Sequence, residues 1–289
     1  MSGEETPLCA SVKVGPYTVR GVSVGGIYTV LQVPELSTLF DVGLPLRAFC
    51  GADRVFLSHG HVDHLGGLLG LLGVRGMMRN KAPLTLFMPE EIAADVQAML
   101  SAGSRMQRFP LEVQSRPMSP GAEAHLENNL WVRAFRTYHP VPSLGYQLFR
   151  RAKKLKPEFH GLPGHEIAQR KARGDALFAD AEQLELCYAT DTLISVLDHN
   201  PSMLKSRVLI LECTFYDERK SLSASRAGCH IHFDELLAQS DRFDNEHLVL
   251  MHTSQIYSPR EARRILAERC PPALLERTVL LAPKRGPWP

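Results

Sequence analysis

The sequence has little that would tie the protein to a membrane, to an oxidising compartment or, as a whole, to nucleic acid. No apolar run approaches the about 20 residues that a membrane-spanning helix needs, and the first residues lack the basic and apolar segments of a secretory signal. The six cysteines are scattered without a C-x-x-C pair, so we predict neither disulfides nor a cysteine-held structural zinc. The net charge of +2 excludes a general attraction to nucleic acid and leaves only local patches. We therefore expect a protein of the reducing cytoplasm with no membrane association.

What is present is an ordinary globular composition, with 44% apolar and 22% charged residues in a chain of 289. That length allows one large domain or two small ones. Strand-like runs alternate with helix-like segments along the chain, and polar residues recur where the strands end. We predict a layered α/β architecture, arranged as a single domain over residues 1–289.

Four side chains of metal-binding type lie within six positions: His59, His61, Asp63 and His64. They follow an apolar run that predicts a buried strand, and they precede a glycine- and leucine-rich segment that predicts a helix over residues 66–80. Residues two apart in an extended segment point to the same side, so His59 and His61 share one centre while the other two face a second centre nearby. Four clustered polar side chains at a strand end do not contribute to apolar packing, because burying them costs free energy. Imidazole and carboxylate groups together suit zinc, manganese or iron. The H-x-H-x-D-H spacing therefore predicts a metal site.

Further candidate ligands stand at the ends of later predicted strands. Two metal ions about 3.5–4 Å apart need ligands from several strand ends. His139 closes a predicted strand over 130–138, Asp191 follows one over 184–190, and His252 closes one over 247–252. From the residues alone, His139 fits a surface histidine as well as a ligand. Asp41 ends a short strand and is either a turn cap or the partner of a ligand imidazole, whose tautomer it would fix.

Residues 150–180 form a basic insertion in this strand-rich pattern. Its candidate RNA-binding side chains are Arg150, Arg151, Lys153, Lys154, Lys156, Arg170, Lys171 and Arg173. Between residues 150 and 174 only Glu158 and Glu166 oppose them, and a Gly-Leu-Pro-Gly segment breaks the strand pattern. A solvated face is the simpler explanation of such a charge run. The insertion nevertheless favours a projecting arm, whose charge suits a phosphate backbone.

The H-x-H-x-D-H segment resembles that of the metallo-β-lactamase superfamily. Within it, four further segments are similar to motifs of ribonuclease Z, the endonuclease that trims the 3′ ends of tRNA precursors. These are Thr-Tyr-His at 137–139 with Ser-Leu-Gly-Tyr at 143–146, Thr-Asp-Thr at 190–192, Leu-Glu-Cys-Thr-Phe at 211–215 and Cys-His-Ile-His at 229–232. The Gly-Leu-Pro-Gly segment sits where short members of this family carry an arm that grips tRNA. The resemblance covers roughly residues 17–285, and the histidine pair at 230 and 232 is similar to short plant-like forms.

The resemblance implies a four-layer αββα sandwich with two divalent metal ions between the sheet edges. Zinc is the expected ion, with Mn²⁺ or Fe²⁺ as alternatives. One ion would be held by His59, His61 and His139 and the other by Asp63, His64 and His252, with Asp191 bridging both. Asp41 resembles the aspartate of the family's first motif. No organic cofactor is implied.

The implied reaction is cleavage of the 3′ trailer from a tRNA precursor by a metal-activated hydroxide. Asp63 would orient the attacking water or accept its proton, and His230, held by Glu212, would donate a proton to the leaving oxygen. From the residues alone, His230 also fits an N-cap of the following helix and Glu212 an exposed strand end. The implied partners are a tRNA precursor and a second copy of the chain, because short members of the family form homodimers.

Three departures from the family pattern bear on how RNA would be positioned. Ile256 stands where the family usually has arginine, Cys229 stands where it usually has glycine, and segment 41–43 lacks the glutamate that follows in bacterial forms. The alternative function is hydrolysis of small phosphodiesters or of another ester on the same fold. A third alternative is a binding protein with eroded ligands, against which the intact set of candidate ligands argues.

Overall fold

Two β-sheets lie face to face and carry helices on their outer sides. The computed structural model describes residues 9–78, 82–284 and 286–289. Its strands are β1 Ala10–Val14, β2 Tyr17–Gly25, β3 Tyr28–Val33, β4 Thr38–Phe40, β5 Arg54–Phe56, β6 Leu84–Pro89, β7 Val113–Met118, β8 Glu123–Glu127, β9 Leu130–Arg136, β10 Leu144–Leu155, β11 Phe178–Ala189, β12 Val208–Glu212, β13 His247–Met251, β14 Thr253–Ser254 and β15 Thr278–Leu280. Its helices are α1 Val62–Leu65, α2 Leu68–Met77, α3 Ala93–Gln107, α4 Gly164–Ala172, α5 Val196–His199, α6 Leu222–Ala227, α7 Phe233–Leu237, α8 Pro259–Arg269 and α9 Pro272–Leu275.

Each sheet contains a parallel half, and these halves decide where the polar strand ends meet. The first sheet runs from β1 to β7 in sequential order, with β14 beside β2. The second sheet has the order β15-β13-β12-β11-β10-β9-β8. Strands β4 to β7 are parallel, as are β11, β12, β13 and β15. Parallel neighbours place their carboxyl ends at one edge of a sheet, which is where ligands bind in such folds.

The period-two alternation of apolar residues produces the layers. On β12, Val208 and Ile210 face the space between the sheets, whereas Leu209 and Leu211 face the outer helices. On the opposite sheet, Phe56 points between the sheets while its neighbour Val55 packs with residues of α2 and α3. Strands apolar on both faces are expected when both faces are covered. The predicted four-layer αββα sandwich is confirmed.

Helix α8 shows how local sequence sets an element's bounds. Ser258 accepts a hydrogen bond from the Glu261 backbone amide, and the Glu261 carboxylate accepts one from the Ser258 amide, which completes a capping box. Pro259 stands at the first helical position, where it leaves no amide unpaired. The helix runs from there to Arg269.

Several elements differ from the predictions. Strand β9 ends at Arg136, so His139 lies in the following loop rather than at the strand's last position. Helix α2 lies within the predicted segment 66–80, whose last two residues fall outside the described part of the chain. The polar strands β7 and β8 were not predicted, because their exposed, mixed residues give no clear alternation.

The basic insertion is a long hairpin with a helix between its strands. Strand β10 pairs with β9 only as far as Arg150, and beyond it pairs with β11 alone, down to Leu155 opposite Phe178. Helix α4, which connects the two strands, has no buried residue. This part of the chain therefore projects from the sheet as the arm that the composition predicted, built on strands that run further than expected.

Both sheets share the apolar layer between them. The organisation as a single domain over residues 1–289 stays a prediction. In the described part of the chain, no helix has the length and apolar character needed to cross a membrane.

Candidate metal centre

The candidate ligands gather where the carboxyl ends of the parallel strands meet. His59, His61 and Asp63 follow β5, and Asp191 follows β11 two residues after its end. His252 follows β13 directly. Asp41 and His252 both take left-handed backbone conformations, with φ of 56° and 61°. Non-glycine residues rarely adopt this conformation, which is common where a turn must aim a side chain at a site.

One group consists of His59, His61, His139 and one oxygen of Asp191, whose ligand atoms lie within 4.8 Å of one another. His139 Nε2 lies 3.1 Å from His61 Nδ1. Asp191 Oδ2 lies 3.8 Å from His59 Nε2 and 3.9 Å from His139 Nε2. Two nitrogen ligands of one tetrahedral zinc stand about 3.3 Å apart, given Zn–N bonds of about 2.05 Å. The group therefore has the size of a single cation's ligand shell.

A second group consists of Asp63, His64 and His252. Asp63 Oδ2 lies 3.5 Å from His64 Nε2 and 3.8 Å from His252 Nε2. Asp191 reaches this group with its other oxygen, because Oδ1 lies 3.4 Å from His64 Nε2 and 3.2 Å from His252 Nε2. One carboxylate thus faces both groups, a different oxygen toward each.

Hydrogen bonds on the outer side of three histidines leave their inner nitrogens free. The Ser58 hydroxyl donates to Asp41, so it accepts from His59 Nδ1. The Thr214 hydroxyl donates to Glu212, so it accepts from His252 Nδ1 at 3.0 Å. His64 Nδ1 lies 2.8 Å from Asp41 Oδ2 and donates to it. These contacts fix the tautomer in which each Nε2 carries a lone pair, as a metal-binding histidine requires.

The inner nitrogens show that the site fits metal ions. Among the described residues, the buried Nε2 atoms of His59, His64 and His252 have no hydrogen-bond partner. At His139 the atom without a partner is Nδ1, since Nε2 lies against His61. Buried polar atoms are nearly always paired, so three unpaired nitrogens aimed into one carboxylate-lined space fit the ligands of a bound cation. The fold and this histidine–aspartate cluster support the use of divalent metal ions.

The electrostatics of the two inner carboxylates agree with this conclusion. Burial by itself would raise the pKa of Asp63, but the nearby His252 and His64 hold it well below its usual range. Burial acts in the same direction on Asp191, and the neighbouring His252, His64 and His59 lower its pKa more strongly. Both groups are therefore carboxylates at neutral pH, which is the form that binds cations.

Glu212 and His230 form a pair beside the second group. Glu212 is 0% exposed, and its carboxylate accepts from the amides of Thr192 and Ile231 and from the Thr214 hydroxyl. His230 Nδ1 lies 3.2 Å from Glu212 Oε1. Burial lowers the pKa of His230, but the charge and hydrogen bond of Glu212 raise it to about 9. His230 therefore carries a proton at neutral pH next to the metal-binding side chains.

The chain is similar to known proteins in both sequence and structure. The family model described as beta-lactamase superfamily domain matches residues 31–253. The tRNase Z TRZ1 of Arabidopsis thaliana is 32% identical over 265 residues, which cover 91% of this chain and 94% of that protein. A nuclear ribonuclease Z of Triticum aestivum is 37% identical over 163 residues, 56% of this chain and 92% of its own.

This chain belongs to the tRNase Z family of the beta-lactamase superfamily. The short form of human tRNase Z has the same fold, with a TM-score of 0.57 at 15% identity, and the match covers 95% of this chain and 94% of the human one. The family that the motifs indicated is thereby confirmed.

The structure resolves two alternatives that the sequence left open. Glu212 is not an exposed strand end, since it is fully buried. The N-cap of α7 is His232, whose side chain accepts from the Asp234 amide, so His230 is free of that role.

At Cys229 the backbone φ is 57°, a conformation that glycine adopts without strain. That geometry explains why the tRNase Z family usually has glycine at this position.

The eight basic residues of the arm differ in how free their charges are. Arg150 pairs with Glu185, and Arg151 pairs with Glu123 and stacks on Trp131. Arg170 pairs with Glu166, and Lys153 stands directly opposite Asp180 on β11. Lys153 nevertheless forms no ion pair with any residue that the structure describes, and neither do the remaining four: Lys154, Lys156, Lys171 and Arg173.

Three residues that orient the site were not predicted as site residues. Ser58 adjoins the cluster in sequence, which is a usable signal. Thr214 follows Glu212 and had no signal beyond its place in the motif. Tyr188, whose hydroxyl donates to Asp41 Oδ2 at 2.5 Å, lies inside a strand 147 residues away, and no local pattern marks it.

Proposed function

We propose that this protein is a metal-dependent endoribonuclease that removes the 3′ trailer from tRNA precursors. The observation that carries the proposal is Asp191, whose two oxygens face two separate groups of histidine and aspartate ligands. A bridged pair of cations is the arrangement used for in-line displacement at phosphodiesters. The curated relatives that the chain matches over most of its length are named tRNase Z.

Two cations would be held by the residues that the sequence predicted. His59, His61 and His139 would hold one, Asp63, His64 and His252 the other, and Asp191 both. Five histidines and two carboxylates are a ligand set that suits zinc, while manganese or iron also accept these ligands. When bound, such a pair polarises the phosphodiester and makes a water molecule a strong nucleophile near neutral pH.

The chain's own residues would handle the protons. Asp63 is ionised and partly exposed, at 16% of its side-chain surface, so it can orient the attacking water and accept its proton. The leaving 3′ oxygen of an RNA is a poor leaving group and needs an acid. His230 is protonated and lies beside the same site, held by the Glu212 carboxylate. Cleavage would break the bond from phosphorus to the 3′ oxygen, and the proton from His230 would complete the 3′-hydroxyl.

The arm supplies the reason to prefer tRNA over a small ester. A small phosphodiester needs only the metal centre, whereas the arm extends away from it and has no buried residue on α4. Four of its cations neither form an ion pair nor stand across the strands from an acidic residue in the described part of the chain. These are Lys154, Lys156, Lys171 and Arg173, and they would contact phosphates far from the scissile bond. Such phosphate contacts would position the tRNA on the protein without distinguishing its base sequence.

A cleavage assay with mapping of both product ends tests the proposal. Purified protein loaded with zinc or manganese is incubated with a 3′-extended tRNA precursor. We expect a tRNA that ends in a 3′-hydroxyl and a trailer that begins with a 5′-phosphate. Hydrolysis of bis(p-nitrophenyl) phosphate without precursor cleavage would instead identify a small-molecule phosphodiesterase. Metal content below one equivalent after remetallation, with neither activity, would indicate a binding protein.

We further propose that the protein is a homodimer. Four large apolar side chains are exposed at the C-terminal ends of α2 and α3: Met77 at 78%, Met78 at 49%, Met106 at 75% and Phe109 at 46%. Apolar patches of this kind mark association surfaces, and a second copy would cover this one. Light scattering should give twice the monomer mass, and Met77→Glu with Met106→Glu should give the monomer. A wild-type monomer at micromolar concentration would contradict this.

The cytoplasmic location stays a prediction.

A further inference from the structure

Phe215 is an aromatic side chain kept at the mouth of the metal centre. Its neighbours Cys213, Thr214 and Tyr216 are all buried, whereas Phe215 is partly exposed. Its ring centroid lies 6.2 Å from that of His230, with the two rings nearly perpendicular at 76°. The ring packs in part against the apolar core. Because it is also partly exposed beside the proposed acid, it is placed to contact the RNA nucleotide that would receive the proton.

Backbone hydrogen bonds hold the segment of Phe215 beside the segment of His230. The Phe215 carbonyl accepts from the Phe233 amide at 2.8 Å, and the residue forms a parallel bridge with His232. The Thr214 amide donates to the Ile231 carbonyl at 3.2 Å. The segment that carries Phe215 is therefore pinned to the segment that carries His230.

Lys220 adds a free positive charge to this surface. Its ammonium lies 5.2 Å from the centroid of the Phe215 ring, and it forms no ion pair with any residue of the described ranges. The adjacent Arg219 is neutralised by Asp217 and Glu261. A lysine on a flexible stem can leave the ring face and follow a phosphate. An aromatic face with a mobile cation beside it is the combination that single-stranded nucleic acid uses for binding.

We propose that Phe215 stacks on the base of the tRNA nucleotide whose 3′ oxygen leaves, while Lys220 contacts a phosphate of the same strand. This placement of the nucleotide rests on the proposed function, in which His230 protonates that oxygen. The base is attached to the same sugar as the oxygen, so it must lie beside His230, where Phe215 is. Stacking needs no particular base, because every base offers a flat face. Phe215 is thus a positioning residue that sets the last tRNA nucleotide against the acid.

The test combines protein variants with precursors that lack one base. The substrates are an intact precursor, one abasic at the last tRNA nucleotide and one abasic at the first trailer nucleotide. Wild-type protein should lose about tenfold in kcat/KM on the first abasic substrate, which is the usual worth of one stacked base. On the intact precursor, Phe215→Leu should have a kcat/KM lower than that of the wild type by a similar factor. On the substrate abasic at the last tRNA nucleotide, Phe215→Leu and the wild type should have equal kcat/KM. Phe215→Tyr, which keeps the ring, should behave as wild type.

The precursor abasic at the first trailer nucleotide is the matched control. Relative to the intact precursor, its kcat/KM should fall by the same factor for Phe215→Leu and for the wild type. Lys220→Gln should reduce the slope of log(1/KM) against log salt by about one. Lys205→Gln is its matched variant, since Lys205 is exposed and precedes β12 at the end opposite Glu212. That variant should leave the slope unchanged.

Two results would overturn the proposal. One is wild-type protein that processes the precursor abasic at the last tRNA nucleotide as fast as the intact one. The other is Phe215→Leu that remains as sensitive to that missing base as wild type. The first comparison needs no variant, so it tests the stacking even if Phe215→Leu is too unstable to assay. Failure to cleave any precursor, intact or abasic, would instead refute the endonuclease function itself.

Discussion

The hydroxyl of Tyr188 donates a hydrogen bond to Asp41 Oδ2 at 2.5 Å, and this contact joins the two sheets behind the metal centre. Both side chains are 0% exposed. The same Asp41 oxygen accepts from His64 Nδ1 and from the Ser58 hydroxyl. Burial raises the pKa of Tyr188 well above its ordinary value, and the nearby Asp41 carboxylate raises it further, so the hydroxyl keeps its proton and remains a donor.

Tyr188→Phe should therefore weaken metal binding without touching a ligand. Loss of a partner that orients a ligating histidine typically costs about 10–100-fold in metal affinity. The lost hydrogen bond to a charged group should lower the free energy of unfolding by about 1.5–3 kcal/mol. Competition titration with a chromophoric chelator and urea unfolding measure the two effects.

Tyr17→Phe is the matched control for that variant. The Tyr17 hydroxyl also donates to a buried carboxylate, Glu185, at 2.8 Å, but Glu185 lies three residues before Tyr188 on β11 and does not contact Asp41. It should lose a comparable free energy of unfolding and no metal affinity. Equal metal affinity in both variants would contradict the role given to the contact between Tyr188 and Asp41.

The bridging position of Asp191 predicts the metal stoichiometry. The wild-type chain should hold two equivalents of metal, and Asp191→Asn should fall below one after dialysis, because the substitution weakens both groups together. Chelation of the wild type should lower its unfolding midpoint, since a ligand at 100 times its Kd contributes about 2.7 kcal/mol. Metal analysis and thermal unfolding provide the readouts.

His199→Ala is the control for the stoichiometry, because His199 is exposed and its Nδ1 lies against the Ser195 carbonyl rather than any candidate ligand. It should keep both equivalents. A single equivalent in wild-type protein, saturated with zinc and unaffected by Asp191→Asn, would rule out a bridged pair.

The pair of Glu212 and His230 predicts how the rate of cleavage depends on pH. The pKa of His230 is raised to about 9, so the acid form predominates below that pH and is lost as pH rises through it. Bound cations would offset the charges of Asp191 and Asp63, which leaves Glu212 as the group that keeps this pKa high. Glu212→Gln should move the alkaline fall of kcat/KM on precursor tRNA to a pH about one unit lower.

His230→Ala separates an acid from a merely structural residue. It should lose about 10²-fold or more on precursor tRNA, the usual worth of a general acid. Bis(p-nitrophenyl) phosphate should be hydrolysed at nearly the wild-type rate, because its leaving group is already a stable anion. An equal loss on both substrates would show that His230 supports the site in another way.

The arm predicts a loss that is specific to the large substrate. Reversal of four arm charges that form no ion pair in the described part of the chain, with Lys154, Lys156, Lys171 and Arg173 each changed to glutamate, should abolish measurable binding of precursor tRNA at physiological salt. Filter binding at several salt concentrations measures this. Hydrolysis of bis(p-nitrophenyl) phosphate should persist, because the arm projects away from the strands that hold the metal ligands.

The matched control for the arm reverses two exposed charges elsewhere, Lys205 and Arg116, which form no ion pair in the described part of the chain. Arg150→Gln should also bind RNA almost normally and cost stability instead, because Glu185 would lose a partner. Equal RNA affinity in the fourfold variant and the wild type would remove the arm from the proposed function.

The sequence by itself determined the family, the layered fold and the candidate ligands. These features depend on local facts: apolar runs of strand length, polar residues directly after them, and the H-x-H-x-D-H spacing, in which the positions of three histidines and an aspartate are set by one turn. His139, Asp191 and His252 could be proposed because parallel strands place their carboxyl ends at a common edge.

Only the tertiary structure decided how those residues divide into two groups and what holds them. The two oxygens of Asp191, the contact of Tyr188 with Asp41 and the placement of Phe215 beside His230 depend on distances between segments far apart in the chain. The same holds for the arm, where cross-strand partners decided which of eight cations are free. Local pattern records which residues are polar and which are apolar, whereas the pairing of side chains follows from strand register and sheet packing, which no single segment encodes.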